Sequence, residues 1–142
     1  MLISTKGRYA LRVMIELAEH KSDEYVPLKV IADKQGISVK YLENIIPVLS
    51  KSGIIDGLKG KGGGYRLNRL PEEYSVGEIL RLTEGTLAPV TCLDTQPNTC
   101  KKAVSCRTLP MWEGLNAVIT NYLDHYSIAD LIDPSRKGDY HI

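Results

Sequence analysis

The feature that most restricts this 142-residue chain is a pair of short apolar stripes divided by a glycine turn. Leu28, Ile31 and Ala32 recur at helical spacing and stop at Gly36, a residue suited to the left-handed end of a helix. Two residues on, Ser38 can cap a further helix whose apolar face is Leu42, Ile45, Ile46 and Leu49, at i, i+3, i+4 and i+7. Two helices joined by a turn of about four residues containing glycine form a helix-turn-helix. Pro27 suits the first turn of the leading helix. Pro47 lies inside the second one, where the loss of a backbone hydrogen bond predicts a kink or an early end.

The flanks extend this unit. Upstream, Ser4 is a good N-cap for a helix carrying Ala10, Leu11, Met14, Leu17 and Ala18, which stops near the polar run His20 to Glu24. Downstream, Ile54 to Lys59 and Tyr65 to Leu67 read as short strands around the turn Gly60-Lys61-Gly62-Gly63-Gly64. The expected fold class is therefore mainly α with a small β-hairpin wing, a winged helix-turn-helix. The turn is not a nucleotide loop. No Ser or Thr follows Gly60-Lys61, and Tyr65 stands where a dinucleotide fingerprint begun at Gly60 needs its third glycine.

Ser75-Val76-Gly77-Glu78 reads as a capping box, with Tyr74 and Ile79 as its hydrophobic staple, opening a helix that runs to Gly85. Leu87 to Arg107 has no period, collects all three cysteines and reads as a loop. Thr108 and Pro110 then open a long helix in which Trp112, Leu115, Ile119, Tyr122 and Tyr126 follow three-four spacing, widened by Met111, Val118 and Leu123. The other segments are too short to cover so wide a stripe, which predicts a dimer seam. Ser127 caps a last short turn through Ile128, Leu131 and Ile132, and Pro134 onward reads as a frayed tail. The expected organisation is a DNA-binding domain over 1–85, a cysteine-bearing loop over 86–107, and a dimerisation helix with its tail over 108–142.

A net charge of +1 taken alone argues against nucleic acid, but its distribution does not. Met1 to Arg69 holds 12 Lys plus Arg against 7 Asp plus Glu, and Leu70 to Ile142 holds 6 against 10, so the halves carry +5 and −4. The basic half contains the helix-turn-helix. Its second helix presents Ser38, Lys40, Tyr41, Glu43 and Asn44 near the end that meets base edges in helix-turn-helix docking. Asn44 can pair with adenine, Glu43 can accept from cytosine, and Ser38, Lys40 and Tyr41 can reach phosphates or bases. Lys59, Gly60 and Lys61 bring charge on a turn that can approach the sugar-phosphate closely, and Lys6, Arg8 and Arg12 add a positive face on the first helix. The expected partner is a double-stranded DNA operator.

Three cysteines are too few, and odd in number, for a disulfide framework, which points to a reducing compartment. No apolar run approaches the length of a membrane span, and the amino terminus lacks the layout of a signal peptide, so the expected location is the cytoplasm. The spacing of Cys92, Cys100 and Cys106 fits structural zinc poorly. Three thiolates on one loop can wrap an iron-sulfur cluster, which needs a fourth ligand from elsewhere; inert or redox-sensing thiols are the alternatives. His20, His125 and His141 form no recognisable catalytic constellation, so no enzyme is expected.

Ser4-Thr5-Lys6-Gly7-Arg8-Tyr9-Ala10, Ile37-Ser38 with Tyr41-Leu42-Glu43, Gly60 through Tyr65 with Leu67, and Val76-Gly77-Glu78-Ile79 together resemble the Rrf-two family of bacterial transcription regulators. That family has iron-sulfur branches, IscR-like and NsrR-like, and a cluster-free CymR-like branch. The resemblance spans about Met1 to Leu131. It implies a homodimer of winged-helix subunits joined through the long helix, a roughly palindromic operator, and Cys92, Cys100 and Cys106 as ligands of a cluster, 2Fe-2S by preference and 4Fe-4S otherwise. Trp112 follows the third cysteine by six residues, as in the IscR-like branch. Leu109 stands where IscR-like members place a ligating histidine, and Arg8 where NsrR-like members borrow a carboxylate. His125, Glu84, Asp94 or an exogenous group remain for the fourth ligand. Lys59 replaces the family's wing arginine, keeping charge without the planar fork. The first cysteine gap is also wider than in the IscR-like branch, so the cluster type does not carry over.

Three functions follow from these readings. The first is a homodimeric regulator controlled by an iron-sulfur cluster. The second is a cluster-free repressor controlled by its thiols or by a protein co-regulator. The third is a redox or metal-handling protein that uses the winged helix for protein contacts.

Overall fold

A computed structural model describes residues 2–137, so His141 and the end of the expected tail lie outside the described residues. The helices begin where side chains can satisfy their first amides. The Ser4 hydroxyl accepts from the Gly7 N–H at 3.1 Å and opens α1 (Thr5–Glu19). Pro27 stands one position before α2 (Leu28–Gln35), as its N-cap, and Gly36 ends that helix with φ 63° and ψ 36°, a conformation costly for a residue with a Cβ. Ser38 caps α3 (Val39–Lys51), accepting from the Tyr41 N–H at 3.0 Å. Helix α3 neither ends early nor stops at Pro47: that residue is exposed, so the carbonyl it leaves without a helical partner is on the solvent side.

The wing is an antiparallel hairpin of β1 (Ile55–Leu58) and β2 (Gly64–Leu67), with Ile55 opposite Leu67 and Leu58 opposite Gly64. Tyr65 also exchanges both backbone hydrogen bonds with Val26, at 2.8 and 2.9 Å, which ties the wing to the segment entering α2. Gly64 makes this possible: a Cβ there would strike the Val26 carbonyl. Tyr74 anchors the base of the wing. Its buried hydroxyl donates to the Ile54 carbonyl at 2.6 Å and accepts from the Asn68 and Arg69 amides at 3.1 Å each.

Only half of the expected capping box forms at α4 (Val76–Glu84). Ser75 accepts from the Glu78 N–H at 3.0 Å, but the Glu78 carboxylate instead receives Arg69 at 3.0 and 2.9 Å. Tyr74 and Ile79, the expected staple, are both fully buried. The complete capping box lies at Ser127 and Asp130, opening the short α6 (Ile128–Ile132). Pro134–Lys137 then form a 3-10 turn where the sequence suggested fraying.

The core gathers Ala10, Val13 and Met14 of α1, Leu42, Ile45 and Leu49 of α3, Tyr74, Ile79 and Ile128. The carboxy-terminal segment thus returns to complete the core of the amino-terminal one. Between them, α5 (Leu109–Asp124) contains no buried residue along its whole described length. Ile119 and Leu123, with Tyr126 just beyond, pack partly against Val76, Leu80 and Leu87. Met111, Leu115, Val118 and Tyr122 remain 56, 41, 64 and 36% exposed. The apolar stripe expected on this helix is therefore two faces: one seats the helix, and the other is uncovered in the single chain.

Candidate nucleic-acid interface

The four buried positions of α3, Leu42, Ile45, Ile46 and Leu49, leave Lys40, Glu43 and Asn44 exposed on its other side. These three carry a cation, an acceptor and a side-chain amide at the amino-terminal end of the helix, the chemistry that phosphates and base edges require. Ser38 and Tyr41 are less available than their sequence positions suggest. The Ser38 hydroxyl is engaged in the cap, and the half-buried Tyr41 packs edge-on against Tyr9 of α1, with ring centroids 5.3 Å apart. That contact fixes the start of α3 to α1.

Among the expected cations, Arg8 is exposed and donates to the Thr5 hydroxyl at 3.0 Å. Arg12 turns inward, stacking over Tyr9 at 5.0 Å and bonding to the side chain and carbonyl of Gln35, so it does not belong to the outer positive face. Lys59, Gly60 and Lys61 form the exposed tip of the wing, where the Gly63 N–H bonds to the Gly60 carbonyl at 3.0 Å. At the wing's base the cations are neutralised internally: Arg66 lies 3.9 Å from Asp56 and stacks on Tyr25, and Arg69 pairs with Glu78. Among the described residues Arg8, Lys40, Lys59 and Lys61 enter no ion pair, so their charge faces outward.

Two supporting residues have roles that the sequence reading missed, Glu16 unassigned there and Glu84 taken only as a candidate ligand. Glu16, 2% exposed, accepts from Gln35 Nε2 at 2.8 Å and lies 2.8 Å from His20 Nε2 and 3.8 Å from Lys34. Its i, i+4 spacing to His20 is readable in retrospect. Burial raises the Glu16 pKa, but the bonds from Gln35 and His20 and the charges of Lys34 and His20 outweigh it and hold the carboxyl below its ordinary value. Glu84, at the end of α4, reaches the start of α1, where it accepts from the Ser4 N–H at 3.3 Å and the Ser4 hydroxyl at 2.5 Å. Gly7 leaves room for that carboxylate; a Cβ at Gly7 would collide with it.

The segment from Gly85 to Thr108 is pinned by buried Leu87 and Leu93 and carries the three thiols, all free. Cys92 and Cys106 are partly exposed and Cys100 is exposed. The Thr108 hydroxyl, 3.5 Å from Cys106 Sγ, and the amides of Thr108 and Leu109 hold the Cys106 thiol below its ordinary pKa. Soft sulfur donors suit iron, but the arrangement does not: among the described residues no three Cys, His, Asp or Glu side chains come together as a metal-holding set. Two of the expected fourth ligands are engaged elsewhere, Glu84 by Ser4 and His125 Nδ1 with the Asn121 carbonyl at 2.7 Å, while Asp94 is exposed. As arranged, the loop does not fit an iron-sulfur cluster. No helix among the described residues is long and apolar enough to cross a membrane.

Comparison with known proteins places this geometry in a family. Residues 3–134 match Rrf2, described as an iron-dependent transcriptional regulator. Protein rrf2 of Nitratidesulfovibrio vulgaris is 37% identical over 132 residues, covering 93% of this chain and 87% of that protein. The HTH-type transcriptional regulator IscR of Aliivibrio salmonicida is 34% identical over 132 residues, covering 93% of this chain and 77% of the relative. The structure of CymR, the global cysteine regulator of B. subtilis, superposes with a TM-score of 0.78 at 32% identity, over 94% of this chain and 98% of that one. IscR of T. potens gives 0.74 at 33% identity, over 100% and 93%. The winged-helix fold and a family match over residues 3–134 have one reading: the chain belongs to the Rrf2 family of DNA-binding transcriptional regulators.

Proposed function

We propose that this regulator works as a homodimer in the cytoplasm, reads a roughly palindromic operator with α3 and the wing tip, and is controlled through Cys92, Cys100 and Cys106. The observation that carries DNA reading is the exposed row Lys40, Glu43 and Asn44 opposite the buried face of α3. The exposed face Met111, Leu115 and Val118 supports the dimer, because a monomer gains nothing from three exposed apolar side chains on one helix. In this reading residues 1–85 contact the operator, 86–107 respond to the signal and 108–142 join the subunits.

Two forms of control follow from different observations. The iron-dependent description of the family and the IscR relatives support an iron-sulfur cluster, 2Fe-2S or 4Fe-4S, with the three cysteines as the residues that would hold it. The free thiols, which form no metal-holding set among the described residues, and the likeness to a cysteine regulator favour thiol or partner control without a cluster. Anaerobic reconstitution with iron and sulfide distinguishes them. Cluster control requires visible absorbance with matching iron and sulfide counts, lost on Cys92→Ser, Cys100→Ser or Cys106→Ser while a folded dimer persists. A colourless protein that changes mass and operator affinity under mild oxidant establishes the second form. The DNA reading has its own test. Affinity should fall steeply between about 50 and 200 mM salt, since several phosphates are contacted; a flat response overturns it.

A further inference from the structure

Val39 opens α3, yet 41% of its surface is exposed. Nothing in the fold accounts for it. Among the described residues it joins neither apolar cluster, and Ser38 already caps the helix. Valine is also a weaker helix former than alanine or leucine. An exposed apolar residue needs no special cause in general, but this one occupies the turn that meets base edges when a helix-turn-helix docks. Its exposed neighbours Lys40, Glu43 and Asn44 can all hydrogen-bond to DNA; Val39 cannot. Pro47, another exposed apolar residue of the helix, lies two turns further from that end. Glu43 follows Val39 by four residues, on the same edge. The apolar group that base edges offer in the major groove is the C5-methyl of thymine.

We propose that Val39 is a specificity-determining residue that selects a thymine in each operator half-site by covering its C5-methyl group. The proposal rests on the DNA-binding reading of α3 and goes beyond the polar contacts assigned to it. Burying one methyl-sized group corresponds to about a fourfold change in affinity, small for overall binding but decisive at one base pair.

The test uses the full-length protein and operators selected from random duplexes. Each thymine is replaced in turn by deoxyuridine, which removes only the methyl group, and affinities are measured for the wild type and for Val39→Ala and Val39→Ile. One thymine per half-site should weaken the wild type by about fourfold when replaced. Val39→Ala, with its shorter side chain, should show a clearly smaller preference for the thymine over the deoxyuridine duplex than the wild type, and Val39→Ile should retain the wild-type preference. If Val39→Ala keeps the wild-type preference at every thymine, or no thymine responds, the assignment of Val39 is overturned while operator binding stands. If the protein selects no sequence at all, the reading of α3 falls and Val39 with it.

Discussion

Glu16→Ala should be strongly destabilising although it removes no apolar core side chain. Glu16 is the one buried charged side chain among the described residues, and it fastens α1 to the end of α2 just before the Gly36 turn that aims α3. Lys34 adds little, because its ammonium is 59% exposed at 3.8 Å. The 2.8 Å contacts from Gln35 and His20 are charge-assisted bonds, each worth roughly 1.5–3 kcal/mol when buried. Truncation should therefore cost about 3 kcal/mol, and Glu16→Gln, which keeps an acceptor for Gln35, about half of that. Acid supplies the second signature. The folded-state pKa lies below the ordinary value of 4.5, so the carboxylate stabilises the protein above the unfolded-state pKa and loses that contribution as pH falls through the folded one. Urea titrations of wild type and Glu16→Gln at one protomer concentration, from pH 7 downward, should show a gap that closes only in acid below about pH 4.5. A deficit under about 1 kcal/mol for Glu16→Ala at pH 7, or a gap unchanged in acid, refutes this account.

Three further changes probe other parts of the molecule. Val118→Asp should yield a monomer in sedimentation velocity with its helical content intact, since the side chain is 64% exposed in the single chain; an unchanged dimer refutes the proposed seam. Glu84→Ala removes the carboxylate from the amino end of α1 and should cost about 1 kcal/mol; Gly7→Ala displaces the same carboxylate but regains about 1 kcal/mol of helix propensity, so adding it to Glu84→Ala should cause no further loss. A further loss in chemical denaturation would show that the two residues act separately. Tyr74→Phe strands the Ile54 carbonyl and two amides beneath the wing and should cost about 2 kcal/mol, read as a lower thermal midpoint. A variant as stable as the wild type would contradict that anchoring role.

Much of the helix-turn-helix was legible because its signals are local. Ser4, Ser38, Ser75 and Ser127 cap helices through hydroxyl bonds spanning three residues, and Gly36 ends α2 through its own backbone conformation. Such features depend on neighbours in sequence and not on the fold around them. Where a distant residue competes, local reading fails. Glu78 has the spacing of a capping box, but Arg69 offers its carboxylate a charged partner, and a charge-assisted bond from one guanidinium nitrogen to both oxygens outcompetes a neutral amide. The inward turn of Arg12 has the same origin. Its spacing from Arg8 suggests a shared basic face, whereas its actual partner, Gln35, lies 23 residues away on another helix.

The long helix shows why apolar periodicity identifies a face without saying what covers it. Ile119 and Leu123 differ from Val118 and Tyr122 by one position each, about 100° around the helix, and that step separates contact with α4 from exposure. A single stripe wide enough for both looks continuous in sequence because hydropathy records transfer from water and is blind to the partner. The cysteines pose the same problem in polar form. Their spacing states how much chain lies between the thiols, but ligation depends on whether that chain closes on itself, and here buried Leu87 and Leu93 hold the loop while, among the described residues, the three thiols form no common ligand set. A cluster-bound state must therefore gather the sulfurs at a cost in loop entropy and displaced contacts. Because Glu84 lies immediately before the loop and holds the start of α1, any rearrangement that reached Gly85 would act on the cap of the helix whose Tyr9 supports Tyr41 at the start of α3.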